Sequence, residues 1–244
     1  MTPFQALGTA LAPSIADAKT IISRRWLAAA AITLGTFLVA AYAVTVWHNL
    51  RAVVWIEDVS TFVLAAVFYA DAMRLVLLPA YRLTFVNVLR LIAVHLVFLV
   101  SAVIVFIPFA NIISVGHMNP HLVGFCFAIV DVLLGARLAF SWFALNNYGI
   151  VGACLRSWAL TARPTFLPTL LVYAGSYVPS VIAKQVAGGL QTHLAPLPCT
   201  ALSVVLDYAV IFPVGAFIFP LLARWMLECE PFHSSTESLA PLIR

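Results

Sequence analysis

Six ionisable side chains interrupt the long apolar stretches of this chain: Asp71, Arg74, Asp131, Arg137, Lys184 and Asp207. A charge held at the centre of a bilayer costs at least about 2.5–3.5 kcal/mol, so each needs a partner or a task. Two chemistries fit them. One is a path that relays protons or ions across a membrane, and the other is a set of ion pairs that lock helices together. Their charges sum to zero, three of each sign. Depth within the stretches pairs Lys184 with Asp207, and Asp71 or Asp131 with Arg137. Arg74, three residues after Asp71, is placed to snorkel to the headgroups. Asp131 lies nearest mid-depth and is the residue a relay would use first.

A second set lies where the fourth apolar stretch ends: Gly149, Ala153, Arg156, Ser157, Trp158 and Arg163. Gly149, Ala153 and Ser157 fall four apart, on one helical face that lets another helix approach closely. Arg156, Trp158 and Arg163 suit an anionic headgroup layer. The set reads either as a lipid-headgroup or partner contact, or as a packed elbow joining two spans.

Signatures of other chemistries are missing from the sequence. It has no HExxH, GxSxG, P-loop or GxGxxG pattern. Glu57-Asp58 reads as a solvated helix start, because carboxylates favour a helix N-terminus. His95 is the one histidine within a span, so a bis-histidine haem has no second ligand. His117 and His121 are four apart, but Asn119-Pro120 between them argues against one regular helix. No metal and no cofactor are expected. Cys126, Cys154, Cys199 and Cys229 are widely spaced and form no CxxC, so no disulfide framework is expected. The net charge of +4 comes from basic residues scattered singly, which does not suit nucleic acid.

The elements that position these residues follow from composition. Of 244 residues, 64% are hydrophobic and only 9% charged, where soluble domains are about a quarter charged. A helix crosses the ~30 Å hydrocarbon core in ~20 residues. The chain contains repeated runs of that length, too continuous for barrel strands. The fold class is therefore all-α: a polytopic membrane protein of six transmembrane helices, with an N-terminal amphipathic helix and an interfacial helix between spans 4 and 5.

The spans are expected at 26–47, 55–78, 91–113, 122–145, 166–187 and 200–226. Residues 1–25 form an amphipathic lead-in, with Phe4, Leu7, Leu11, Ile15, Ala18 and Ile22 on one face. Such a segment rests in the interface plane, with Pro13 kinking it. No cleavable signal peptide is expected, because the first apolar run is long enough to stay in the membrane. Residues 26–226 form the membrane domain, and 227–244 a loose polar tail. Lys19, Arg24, Arg25, Arg82, Arg90, Arg156, Arg163 and Arg224 fall on one side of this topology. Arg51 stands alone in the opposite loops, with Lys184 near that end of span 5. The positive-inside rule then places both termini in the cytoplasm.

The pattern Gly149-x-x-x-Ala153-x-x-x-Ser157-Trp158-x-Leu160-Thr161 resembles a segment after the fourth span of a group of bacterial six-helix membrane proteins. The group includes the membrane domain of some glycerophosphodiester phosphodiesterases and the YciC-like inner-membrane proteins. The architecture of the group covers nearly the whole chain. Two departures stand out. Asn146 and Asn147 occupy positions where the group carries an acidic residue, and Ala162, Arg163 and Pro164 follow where it carries glycine. The resemblance implies a fold and a bacterial cytoplasmic (inner) membrane location, and little about activity.

These readings lead to one expectation and one alternative. The expectation is a non-enzymatic integral inner-membrane protein. It would be an accessory, assembly or lipid-interacting factor whose partners are membrane lipids and another membrane protein or a second copy of itself. The alternative is a small secondary transporter or exporter that uses the intramembrane Asp, Arg and Lys residues. A lipid-acting membrane enzyme has the least sequence support.

Overall fold

The computed structural model describes residues 2–47, 50–116, 120–190 and 195–233. They form an all-α polytopic membrane protein. Seven α-helices follow one another among the described residues: α1 (Pro3–Thr45), α2 (Leu50–Ala72), α3 (Phe85–Gly116), α4 (Pro120–Leu138), α5 (Ser141–Leu160), α6 (Phe166–Leu190) and α7 (Pro196–His233). Among the described residues five helices are long and apolar enough to cross a membrane, and α4 with α5 passes the same test only as a pair bent by 78°, the form of a broken span or a re-entrant loop.

The N-terminal lead-in is helical but is not a separate element. α1 runs unbroken for 43 residues through Pro13, about 64 Å at ~1.5 Å per residue and twice the hydrocarbon core. Its start is fixed by a reciprocal capping box. Gln5 N–H donates to Thr2 Oγ1 at 3.3 Å and Thr2 N–H to Gln5 Oε1 at 2.7 Å, with Pro3 in the first helical position. Pro13 removes one ladder bond, to the Thr9 carbonyl. The buried side of the lead-in carries Ala6, Ala10, Ser14, Ala18 and Ile21, whereas Phe4, Leu11 and Ile15 are exposed. Along this segment the buried side is thus mostly small residues, with Ile21 the large exception.

The chain divides into two compact units. The first holds residues 1–10, 82–174 and 222–244. In it α3 packs against α4 and α5, and α4 against α5. Thr84 caps α3, accepting the Asn87 N–H at 3.3 Å. Trp225 of α7 is fully buried, and its Nε1–H donates to Thr169 Oγ1 of α6 at 2.8 Å. α7 does not stop at Met226. It continues to His233, because Cys229 is fully buried and Glu230 reaches Arg156 at 3.4 Å. The tail expected from residue 227 is therefore helical to that point, and 234–244 lie outside the described residues.

The second unit holds residues 11–81 and 175–221. Its core packs Ile21 and Ala29 of α1, Leu64 and Phe68 of α2, and Val204, Tyr208 and Ala216 of α7. Thr36 and Tyr208 share a buried hydrogen bond of 3.2 Å. The span Trp55–Leu77 has 44% of its most apolar stretch buried, against 17% to 28% in the other unbroken spans. α2 is thus the most enclosed of the unbroken candidate spans among the described residues, and it ends in a π-helical turn, Met73–Leu77, closed by Leu78 N–H on the Met73 carbonyl at 2.6 Å. π turns recur where a helix must re-aim functional side chains. Glu57 lies in the third turn of α2 rather than at its start. It accepts a hydrogen bond from Ser203 at 3.1 Å, so the reading of Glu57-Asp58 as a helix start is corrected.

Candidate functional site

The helix expected to run to Leu145 as the fourth span stops short of it. α4 stops at Leu138, and α5 leaves at 78° to it. The break falls seven residues earlier than the sequence pattern suggests. A broken helix in a bilayer frees backbone groups that have no water to turn to. Here the side chains of the Ser157-Trp158-x-Leu160-Thr161 pattern satisfy them. Ser157 Oγ accepts the Phe140 N–H at 3.0 Å and donates to the Arg137 carbonyl at 2.8 Å. Thr161 Oγ1 donates chiefly to the Ser157 carbonyl at 2.8 Å and stands 3.2 Å from the Arg137 carbonyl, and Ser141 Oγ donates to the Leu138 carbonyl at 2.6 Å. Phe140, Ser157 and Thr161 are all fully buried.

Arg137 completes the elbow in the opposite direction. Its Nη1 donates to the Thr161 carbonyl at 2.7 Å, at the C-terminal end of α5. Its guanidinium lies 4.4 Å from the Phe166 ring centre and 5.0 Å from that of Trp158. Both contacts are within cation–π range and are strengthened by desolvation. The cation thus caps a carbonyl end where the helix dipole favours positive charge. The chain then turns through a cis Arg163–Pro164 peptide into α6. Thr165 Oγ1 bonds the Leu160 carbonyl, and also the Ala162 carbonyl at 2.8 Å.

Gly149 has a different role from the one its spacing suggests. Its φ of 66° and ψ of −173° interrupt α5, a conformation essentially reserved for glycine. A Cβ added there meets nothing within 4 Å, so close packing is not the reason for glycine. Ala153 and Ser157 do form a buried small face, without Gly149. Gly149→Ala is expected to cost about 1–3 kcal/mol, all of it backbone strain. A thermal unfolding comparison with Gly175→Ala, where φ is ordinary and an added Cβ also meets nothing within 4 Å, separates strain from loss of glycine itself.

Of the remaining headgroup or partner candidates, Ala153 and Ser157 are sealed from any lipid. Arg156 is turned toward Glu230, with Tyr148 5.9 Å from its guanidinium carbon. Trp158 is half exposed and Arg163 exposed.

In the second unit Asp71 is buried and Arg25 grips it with both prongs. Nε donates to Oδ2 and Nη2 to Oδ1, each at 2.7 Å. Arg74 stands 3.6 Å from the same carboxylate, and its Nε donates to the Tyr81 carbonyl at 2.8 Å. Asp71 is therefore not the partner of Arg137, and Arg74 holds the turn after α2 rather than snorkelling freely. Arg25 reads in sequence only as a flanking charge of span 1. Its partner lies 46 residues away, and no local spacing announces it. Asp131 is half-buried in α4, seven residues before the bend. The side chains of Lys184 and Asp207 lie outside the described residues, as do His117 and His193.

Among the described residues no three His, Cys, Asp or Glu side chains gather as a metal set. A groove of about 550 Å³ runs between α1 and α7 in the second unit. No family model, curated protein or solved structure matches this chain.

Proposed function

We propose that the protein is a non-enzymatic integral protein of the bacterial cytoplasmic membrane that acts through lipids or a protein partner inside the bilayer, with both termini cytoplasmic. The observation that carries this reading is the use made of the polar groups. Arg25, Asp71 and Arg74 hold one another and the turn after α2, and Arg137 holds the elbow. Such groups are spent on cohesion, and what the spans offer outward is apolar. The resemblance around Ser157-Trp158 supports the bacterial location, and the distribution of basic residues supports the orientation.

Native mass spectrometry of the protein released gently from its own membrane tests the reading. A defined protein partner or a retained lipid is the expected result. A bare monomer contradicts it.

A second reading has one observation in its favour. A span broken by 78° with Asp131 half-buried on its first segment is an arrangement that secondary transporters use. Asp131→Asn would then abolish a flux while leaving the fold intact.

A further inference from the structure

The groove between α1 and α7 is bounded by two matching helical faces. Trp26, Ala29, Ala30, Thr33, Leu34 and Phe37 line one wall, and Ala201, Val204, Val205, Tyr208, Ala209 and Phe212 the other. Both sets follow the same spacing of three, four, seven, eight and eleven residues from the first, the stripe one helix presents to a neighbour. The alanines at Ala29, Ala30, Ala201 and Ala209 leave the space, and the aromatic and branched residues bound it.

Apart from the Trp26 indole N–H at one end, the walls make no polar demand on an occupant. Thr33 donates to the Ala29 carbonyl at 2.8 Å, and the Tyr208 hydroxyl is engaged with Thr36 at 3.2 Å. An occupant therefore needs to be hydrocarbon along the groove. Trp26 to Phe37 spans roughly 16 Å of helix, close to the ~15 Å thickness of one hydrocarbon leaflet. An extended acyl chain matches that length and the apolar walls.

One end of the groove is marked electrostatically. Lys19 is exposed and lies seven residues before Trp26, on the same helical face as Trp26, Ala30, Thr33 and Phe37. Trp26 is half exposed at this end, where an indole sits well at the headgroup level. A cation one step beyond an interfacial aromatic recognises an anionic headgroup.

We infer that the α1–α7 groove binds one acyl chain of an anionic phospholipid, with Lys19 facing its headgroup. The inference rests on the proposed lipid- or partner-directed function and names the lipid class. It is tested with the full chain in bilayers of phosphatidylcholine and phosphatidylglycerol, by native mass spectrometry of the lipids each variant retains. The wild-type protein is expected to retain phosphatidylglycerol in preference to phosphatidylcholine. Ala30→Leu and Ala209→Leu fill the groove at exposed positions, where the new side chain displaces no packed atom. Each is expected to lower retention by about tenfold, the effect of roughly two methylenes losing burial. Lys19→Glu is expected to abolish the preference between headgroups while retention of some lipid persists. Unchanged retention in both filled variants overturns the inference, and so does equal retention of the two lipids by the wild type. Either failure leaves the broader reading standing if a protein partner is captured on gentle release from the native membrane.

Discussion

Asp71→Ala is expected to lower the stability of the protein by about 3–5 kcal/mol, the usual consequence of stranding one member of a buried ion pair. Arg25 meets the Asp71 carboxylate with two hydrogen bonds of 2.7 Å, the geometry in which such a pair is strongest. The side chain of Arg25 is 35% exposed, so it rehydrates in part when abandoned, and the loss should fall near the lower end of that range. Arg74 adds less. It stands farther off at 3.6 Å and is 40% exposed. The double variant Arg25→Met with Asp71→Leu is expected to regain most of the loss, because replacing both members by apolar groups removes the stranded charge. Denaturation in a mild detergent mixture measures all three. If Asp71→Ala unfolds like the wild type, the pair is not holding α1 to α2.

Ser157→Val is expected to have the next largest effect. The hydroxyl serves two groups at once, accepting from Phe140 N–H and donating to the Arg137 carbonyl. Valine leaves the Phe140 N–H without its acceptor in a fully buried position. An orphaned donor costs about 1–3 kcal/mol in a protein interior, and several in lipid. Thr161→Val should cost less, because Ser157 continues to serve the Arg137 carbonyl. The ordering of the two variants is the informative result. If Thr161→Val is the more damaging, the break at Ala139–Phe140 is not held in the way the hydrogen bonds imply.

The helices were legible because hydropathy registers continuous apolar length, and each expected span overlaps a helix that forms. The bend was not. Ala139-Phe140 contains no glycine or proline, and the apolar pattern runs through it without interruption. What makes the break possible lies in Ser157 and Thr161, whose hydroxyls come back from the next helix. In the sequence those residues look like ordinary small residues at helical spacing. Gly149 was visible as a member of that spacing, but sequence alone does not separate a glycine needed for close approach from one needed for positive φ. Its φ of 66° decides between them. The partner of Asp71 was hidden for a simpler reason. Depth ranking works only within spans, and in the sequence Arg25 lies on the flank of the first one. The unbroken course of α1 places Arg25 on the same helix as the span, within reach of α2.

Asp71, Arg74 and Arg137 are held in place by Arg25, the turn after α2 and the elbow, so they do not form a ready chain of relay groups. Asp131 stays the residue on which a transport reading turns.

Proton flux into vesicles containing the purified protein tests the central claim most directly. With a pH gradient imposed and a pH-sensitive dye inside, vesicles with and without the protein are expected to lose the gradient at the same rate. A gradient-driven flux that Asp131→Asn abolishes, in a variant that folds and unfolds like the wild type, would contradict the account and make the bent span a transport path.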